Sequence, residues 1–90
     1  MRAALYTGQF KRDVKRMEKR GKEMEKLRAV IRLLLADAPL PRGLADHPLK
    51  GEWKLSRDLH LEPDWLLIYG IEGDIVRFER TGTHTDIFRK

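Results

Sequence analysis

The chain has 90 residues, with nineteen Lys and Arg against fourteen Asp and Glu, no cysteine and a formal net charge of +5. That length sustains one core of modest size, so residues 1–90 read as a single domain and nothing suggests a two-domain enzyme with a deep cleft. With no cysteine there is neither a disulfide staple nor thiolate chemistry, which suits a reducing, cytoplasmic setting.

Met1-Arg2-Ala3-Ala4-Leu5-Tyr6 meets charge at once and lacks the long apolar run of a signal peptide. The apolar runs elsewhere are far too short to span a bilayer, so no membrane association is expected. Leu5-Tyr6-Thr7 reads as a short first strand, with Thr7 placed to cap the next element. From Gln9 to Arg20, Phe10, Val14 and Met17 make one narrow apolar stripe on a helix. Gly21 stands where a C-terminal cap glycine belongs. A second helix is predicted from about Lys22 to Ala36, burying Met24, Leu27, Val30, Ile31, Leu34 and Leu35. The two helices are expected to form an antiparallel hairpin against a sheet.

Pro39 and Pro41 forbid continuation of the second helix. Leu44 to Gly51 reads as an irregular linker. Glu52 to Leu61 alternates, with Trp53, Leu55, Arg57, Leu59 and Leu61 on one face and Lys54, Ser56, Asp58 and His60 on the other. Trp65 to Tyr69 is apolar without alternation, as in a central strand covered on both sides. A turn lies within Gly70 to Asp74, Ile75 to Arg80 is the next strand, and Thr85 to Lys90 is a last strand or a single helical turn. Trp53 and Trp65 are expected in the core. Arg57, on the apolar face of its strand, suggests a buried ion pair. The order predicts an α+β fold: a short N-terminal strand, a helical hairpin, then a meandering, antiparallel-rich sheet with the helices on one face. On the open polar face Lys54, Asp58 and His60 are expected, with Asp64, Arg80 and His84 brought up at strand ends.

Charge is unevenly spread. Residues 9–36 carry ten Lys and Arg against four Asp and Glu, whereas residues 37–90 carry eight against ten. A basic first half points to a polyanion or an acidic protein partner, or simply to well-solvated helices. The stretch Asp58-Leu59-His60-Leu61-Glu62-Pro63-Asp64-Trp65 is the densest in chemistry. Alternation puts Asp58 and His60 on one side of a strand, and a tight connection returns Asp64 toward His60. A carboxylate beside an imidazole fixes its tautomer and stabilises its charged form, which is how acid–base catalysis is built. Taken singly, Asp64 can also brace a turn and Phe88 can anchor a loose terminus.

Longer motifs cover the second half of the chain. Asp46-His47-Pro48-Leu49-x-Gly51-x-Trp53-Lys54 is followed by Arg57-Asp58-x-His60-x-Glu62-Pro63-Asp64-Trp65-x-Leu67-Ile68-Tyr69. Then come Arg77-Phe78-Glu79-Arg80-Thr81-Gly82-Thr83-His84 and Phe88. This set resembles the YafQ-type branch of the RelE superfamily of bacterial toxins, and the helical half resembles it in charge and hydrophobic pattern. The resemblance implies a compact microbial-ribonuclease-like fold. It further implies a ribosome-dependent endoribonuclease that cuts messenger RNA in the ribosomal A site, with adenine-rich lysine codons favoured. A smaller antitoxin would neutralise it, and operator DNA would be contacted only through the antitoxin complex. The positions matching His47, His60, Asp64, His84 and Phe88 are tied to activity in that branch, and all five are present. Asp58, Trp65 and Arg80 match further motif positions. Other RelE-type toxins use lysines and arginines instead of these histidines, so only the YafQ-type comparison transfers.

RNA carries its own nucleophile, the 2′-hydroxyl. Cleavage needs a base, an acid for the departing 5′-oxygen and positive charge near the phosphate. Histidine suits both proton roles, its reference pKa being about 6.5. The expectation is that His60, oriented by Asp64 or Asp58, shares these roles with His84. His47 assists or binds phosphate, Arg80 stabilises the transition-state charge, and Phe88 stacks on a base. Lys11, Arg12, Lys15, Arg16, Lys19, Arg20 and Lys22 are candidate contacts to ribosomal RNA, with Lys54 on the sheet. The histidines are separated by thirteen and twenty-four residues and form no compact ligand pair, so neither a metal nor another cofactor is expected. The alternative is a basic module that binds ribosomal RNA or an acidic protein without cutting. It has no need of the clustered histidines and carboxylates.

Overall fold

The computed structural model describes residues 1–51 and 55–88. Strand β1 (Ala3–Tyr6) leads into helix α1 (Gly8–Lys19) and helix α2 (Met24–Leu35). A 3-10 turn (Arg42–Leu44) precedes β2 (His47–Pro48). Strands β3 (Arg57–Glu62), β4 (Trp65–Glu72) and β5 (Ile75–Gly82) follow, and helix α3 (His84–Phe88) ends the described chain. The sheet runs β1-β5-β4-β3-β2, parallel between β1 and β5 and antiparallel elsewhere. The α+β order read from the sequence is the order observed.

Local chemistry explains the helix limits. The Thr7 hydroxyl accepts from the Phe10 N–H at 3.0 Å, capping α1. Gly21 adopts φ 81°, which lets its N–H donate to Glu18 O and the Lys22 N–H to Met17 O. That paired arrangement closes a helix by satisfying its last carbonyls. The same pairing ends α2, with Asp37 at φ 54° in the left-handed position and donation from Asp37 and Ala38 to Leu34 O and Leu33 O.

Strand β4 organises the packing. Its residues Trp65, Leu67 and Tyr69 join Phe10, Met17, Leu27, Val30, Leu34, Leu59, Val76 and Phe78 in the main core. Leu66 and Ile68 point the other way, into a second cluster with Ile87, Leu49 and Phe88. The absence of alternation in this strand therefore reflects cover on both sides. The histidine-bearing face is only partly open, because α3 lies over Leu66 and Ile68. An apolar patch of that kind has to be buried, and Ile87 does so at 7% exposure.

Two expectations are corrected. The strand predicted from Glu52 starts at Arg57, and Leu55 sits in a turn, 80% exposed, rather than on a buried face. Trp53 and Lys54 lie outside the described residues. The stretch from Leu44 to Gly51, read as an irregular linker, contains β2. His47 pairs with Asp58 and Pro48 with Arg57, and the Leu49 N–H donates to Ser56 O. So short a strand, holding a proline, carries no periodic signal, and the register is imposed by β3.

Candidate active site

Pairing across the sheet assembles the site. His47 lies opposite Asp58, Asp58 opposite Ile68, and His60 opposite Leu66. Directly opposed residues share a face, so Asp58 and His60 fall on the α3 side of the sheet, as alternation predicted. A bulge between His60 and Glu62 bends β3 just before the Pro63-Asp64 connection. Bulges of this kind re-aim side chains at strand ends.

The three imidazoles converge in a row. The rings of His47 and His60 have centroids 6.3 Å apart, those of His60 and His84 5.8 Å, and those of His84 and Phe88 6.5 Å. His47 and His84 are about half exposed, and His60 is intermediate.

Each histidine is held differently. Asp64 Oδ1 accepts from the His84 backbone N–H at 2.9 Å and lies 2.6 Å from His84 Nδ1. The backbone hydrogen bond, then the ring contact, hold the Asp64 carboxyl below its usual range. A carboxylate can only accept, so Nδ1 of His84 bears the proton and Nε2 is left for chemistry. His47 Nδ1 lies 2.8 Å from Ala45 O, another pure acceptor, and its Nε2 lies 2.9 Å from Asp58 Oδ1. That second approach is a close charge contact and not a hydrogen bond, and Asp58 Oδ1 is left buried without a hydrogen-bond partner. Asp58 is 5% exposed. Burial pushes its carboxyl up, against the downward pull of His47, His60 and His84. His60 Nδ1 is buried without a hydrogen-bond partner. The carboxylate expected to orient His60 therefore belongs elsewhere: Asp64 serves His84 and Asp58 serves His47. The Pro63-Asp64 turn is too tight to swing Asp64 back over its own strand and reaches β5's continuation instead.

The loop bearing His47 is braced from below. Asp46 receives Arg57 Nε at 3.2 Å and Arg57 Nη2 at 3.0 Å, and also the Tyr69 hydroxyl. The Arg57 pair anticipated from sequence is real, though Arg57 is 40% exposed. Burial, then Asp46, push the Tyr69 phenol well up.

Arg80 departs from expectation. Its Nε lies 2.7 Å and its Nη2 3.3 Å from the Asp13 carboxylate, and Nη2 also donates to Asp86 O. The guanidinium expected at a phosphate is thus committed to a buried partner. Asp13 was missed, although it falls within the Phe10–Val14–Met17 stripe, where a lone acid signals a buried pair. Strand β1 ends opposite Phe78, so the later half of β5 would be an open edge. Asp13 closes it by accepting from the Thr81 N–H. Phe88 is part-buried beside His84.

Among the basic candidates, Lys11, Arg12, Lys15 and Lys19 are exposed on α1. Arg16 pairs with Asp13, Arg20 with Asp86, and Lys22 with Glu62. Those three are tied within the molecule, to carboxylates on α1, on α3 and at the end of β3. Among the described residues, no three His, Cys, Asp or Glu side chains are arranged to hold a metal ion. No described helix is long and apolar enough to cross a membrane.

Known proteins share this sequence pattern and fold. A family model described as "Bacterial toxin of type II toxin-antitoxin system, YafQ" matches residues 2–89. The mRNA interferase toxin YafQ of Escherichia coli (strain K12) is 51% identical over 84 residues, 92% of this chain and 91% of that protein. The toxin in the crystal structure of the E. coli DinJ–YafQ complex superposes with a TM-score of 0.91 at 49% identity, covering 98% of this chain and 99% of that one. The crystal structure of a metal-bound toxin from Helicobacter pylori superposes with a TM-score of 0.91 at 34% identity, covering 98% and 100%. This chain belongs to the YafQ family of bacterial toxins of type II toxin–antitoxin systems.

Proposed function

We propose that this toxin is a ribosome-dependent endoribonuclease that cuts messenger RNA in the A site by attack of the 2′-hydroxyl. The single observation that carries this reading is the row of three imidazoles ending at Phe88. His84, with Nδ1 held by Asp64, and His60, 5.8 Å from it, share the base and acid roles. Two rings at that spacing can serve the attacking and leaving oxygens of one phosphorus. His47, held at Nδ1 by Ala45 O and with Nε2 2.9 Å from Asp58, assists or binds phosphate at the end of the row. Phe88 stacks on a splayed base. Arg80 braces the site, its positive charge fixed behind α3. No step requires a metal.

The ribosome positions the message, helped by Lys11, Arg12, Lys15 and Lys19 against ribosomal RNA. A cognate antitoxin neutralises the toxin, as the DinJ–YafQ assembly suggests, and contacts operator DNA on its behalf. The setting is the cytoplasm, and residues 1–90 act as one domain.

The test is cleavage of a message on programmed, purified ribosomes. His60→Gln and His84→Gln are each expected to cut about 10²–10⁴-fold more slowly, and toxin stripped of transition metals beforehand to cut as well as untreated toxin in the same magnesium buffer. Undiminished cutting by both variants overturns the roles. Loss of cutting by the stripped toxin, restored by adding back one transition metal, overturns the metal-free route.

A further inference from the structure

Helix α3 is five residues long and carries both His84 and Phe88. A helix that short does not hold its own shape in water, because nucleation costs more than one turn of hydrogen bonds returns. Its direction must come from outside, and Asp86 stands where the outside contacts meet. Asp86 Oδ2 accepts from the Thr83 N–H at 3.0 Å, while the Asp86 N–H donates to Thr83 Oγ1 at 3.1 Å. That reciprocal pair is a capping box closing the start of the helix. The same carboxylate receives both terminal nitrogens of Arg20, at 2.6 and 3.0 Å. Arg16 Nε approaches to 4.0 Å. The neighbouring strand leaves room for it: a Cβ at Gly82 would lie 3.0 Å from Asp86 Cβ and Oδ2.

We infer that Arg20 and Asp86 form a positioning clamp that ties α3 to α1 and so sets His84 and Phe88 over the cleavage site. Three polar contacts then fix α3: the Asp64 carboxylate at its first residue and, at its third, the Arg20 fork on the Asp86 carboxylate and Arg80 Nη2 on the Asp86 carbonyl. The fork matters because planar, bidentate donation fixes an angle as well as a distance, which an ammonium cannot do. Arg20 is thereby a positioning residue and not a contact to ribosomal RNA. A displacement of about 1 Å at a reacting group can cost about 10²-fold in rate. The pair itself, with Arg20 42% exposed, contributes little to overall stability.

The inference rests on the proposed ribonuclease reading for its kinetic arm alone. Arg20→Lys and Arg20→Ala are compared with wild type on programmed ribosomes over a range of salt, and the ¹⁵N resonances of the His84 ring are recorded on free toxin. Both variants should lower kcat about tenfold, leave KM and its salt dependence unchanged, and shift the His84 resonances. Asp86→Asn should do the same, and combining it with Arg20→Ala should add nothing further. Arg20→Lys at wild-type kcat, or a loss carried wholly by KM with a shallower salt slope in Arg20→Ala, overturns the clamp. If wild type itself cuts nothing, the ribonuclease reading has failed separately. The His84 resonances then decide alone: shifted in both Arg20 variants they uphold the clamp, unmoved they overturn it.

Discussion

Two buried carboxylates sit on opposite flanks of the same sheet and are treated in opposite ways. Asp13, fully buried, accepts from Gln9, Arg16, Arg80 and the Thr81 N–H. Asp58 is 5% exposed, and the group its Oδ1 meets is His47. The first has its lone pairs filled by donors that no reaction needs. The second is buried against a group whose proton can move, next to a His60 Nδ1 left without a partner. A satisfied buried charge stabilises a fold, and an under-satisfied one is a poised group maintained at a cost in stability. The contrast separates scaffold from chemistry in a protein where both use the same residue types.

The largest effect should come from breaking the satisfied side. Asp13→Ala takes the carboxylate from the part-buried Arg80 guanidinium, leaves the buried Thr81 N–H without its acceptor and reopens the β5 edge. We expect about 3–5 kcal/mol of lost stability by denaturant titration. Asp58→Asn should behave in reverse, keeping stability within about 1 kcal/mol while cleavage on programmed ribosomes falls about tenfold or more. If Asp58→Asn unfolds the protein as Asp13→Ala does, the two carboxylates are alike and the distinction fails.

A smaller effect concerns acid. Arg20 chiefly, then the Thr83 N–H and hydroxyl, hold Asp86 well below the ordinary carboxylate range. Its native pKa lies below the unfolded value of about 3.9. Its contribution is therefore complete above that pH and is lost as pH falls through the depressed native value. Melting curves of wild type and Asp86→Asn should differ at pH 6 by no more than about 1 kcal/mol and converge toward pH 2. A gap that widens in acid would contradict the assignment. Smallest of all, Lys11→Gln, Lys15→Gln and Lys19→Gln should leave kcat alone. Each should flatten the logarithmic salt slope of ribosome engagement by about 0.7–0.9 for every phosphate it no longer neutralises.

Much of this was legible in the chain itself, for physical reasons. Helices α1 and α2 announce themselves through stripes at helical spacing, with Thr7 and Gly21 as punctuation. The convergence of Asp58 and His60 follows from strand alternation. What escaped was whatever depends on partners distant in sequence. Strand β2 exists because β3 offers its edge to His47. The partner of Asp64 is twenty residues away at His84, not across its own turn. Arg20 reads as a surface cation until Asp86, sixty-six residues on, claims it. Two signals were present and unused: the lone acid on the Phe10–Val14–Met17 stripe, and the Thr83-x-x-Asp86 spacing of a capping box.

The central claim is that neighbouring imidazoles move protons for an attacking 2′-hydroxyl. Mass analysis of messenger fragments released from programmed ribosomes tests it most directly. Upstream fragments should end in a 2′,3′-cyclic phosphate and downstream fragments should start with a 5′-hydroxyl, both nearly absent with His84→Gln. Upstream fragments ending in a 3′-hydroxyl would contradict it.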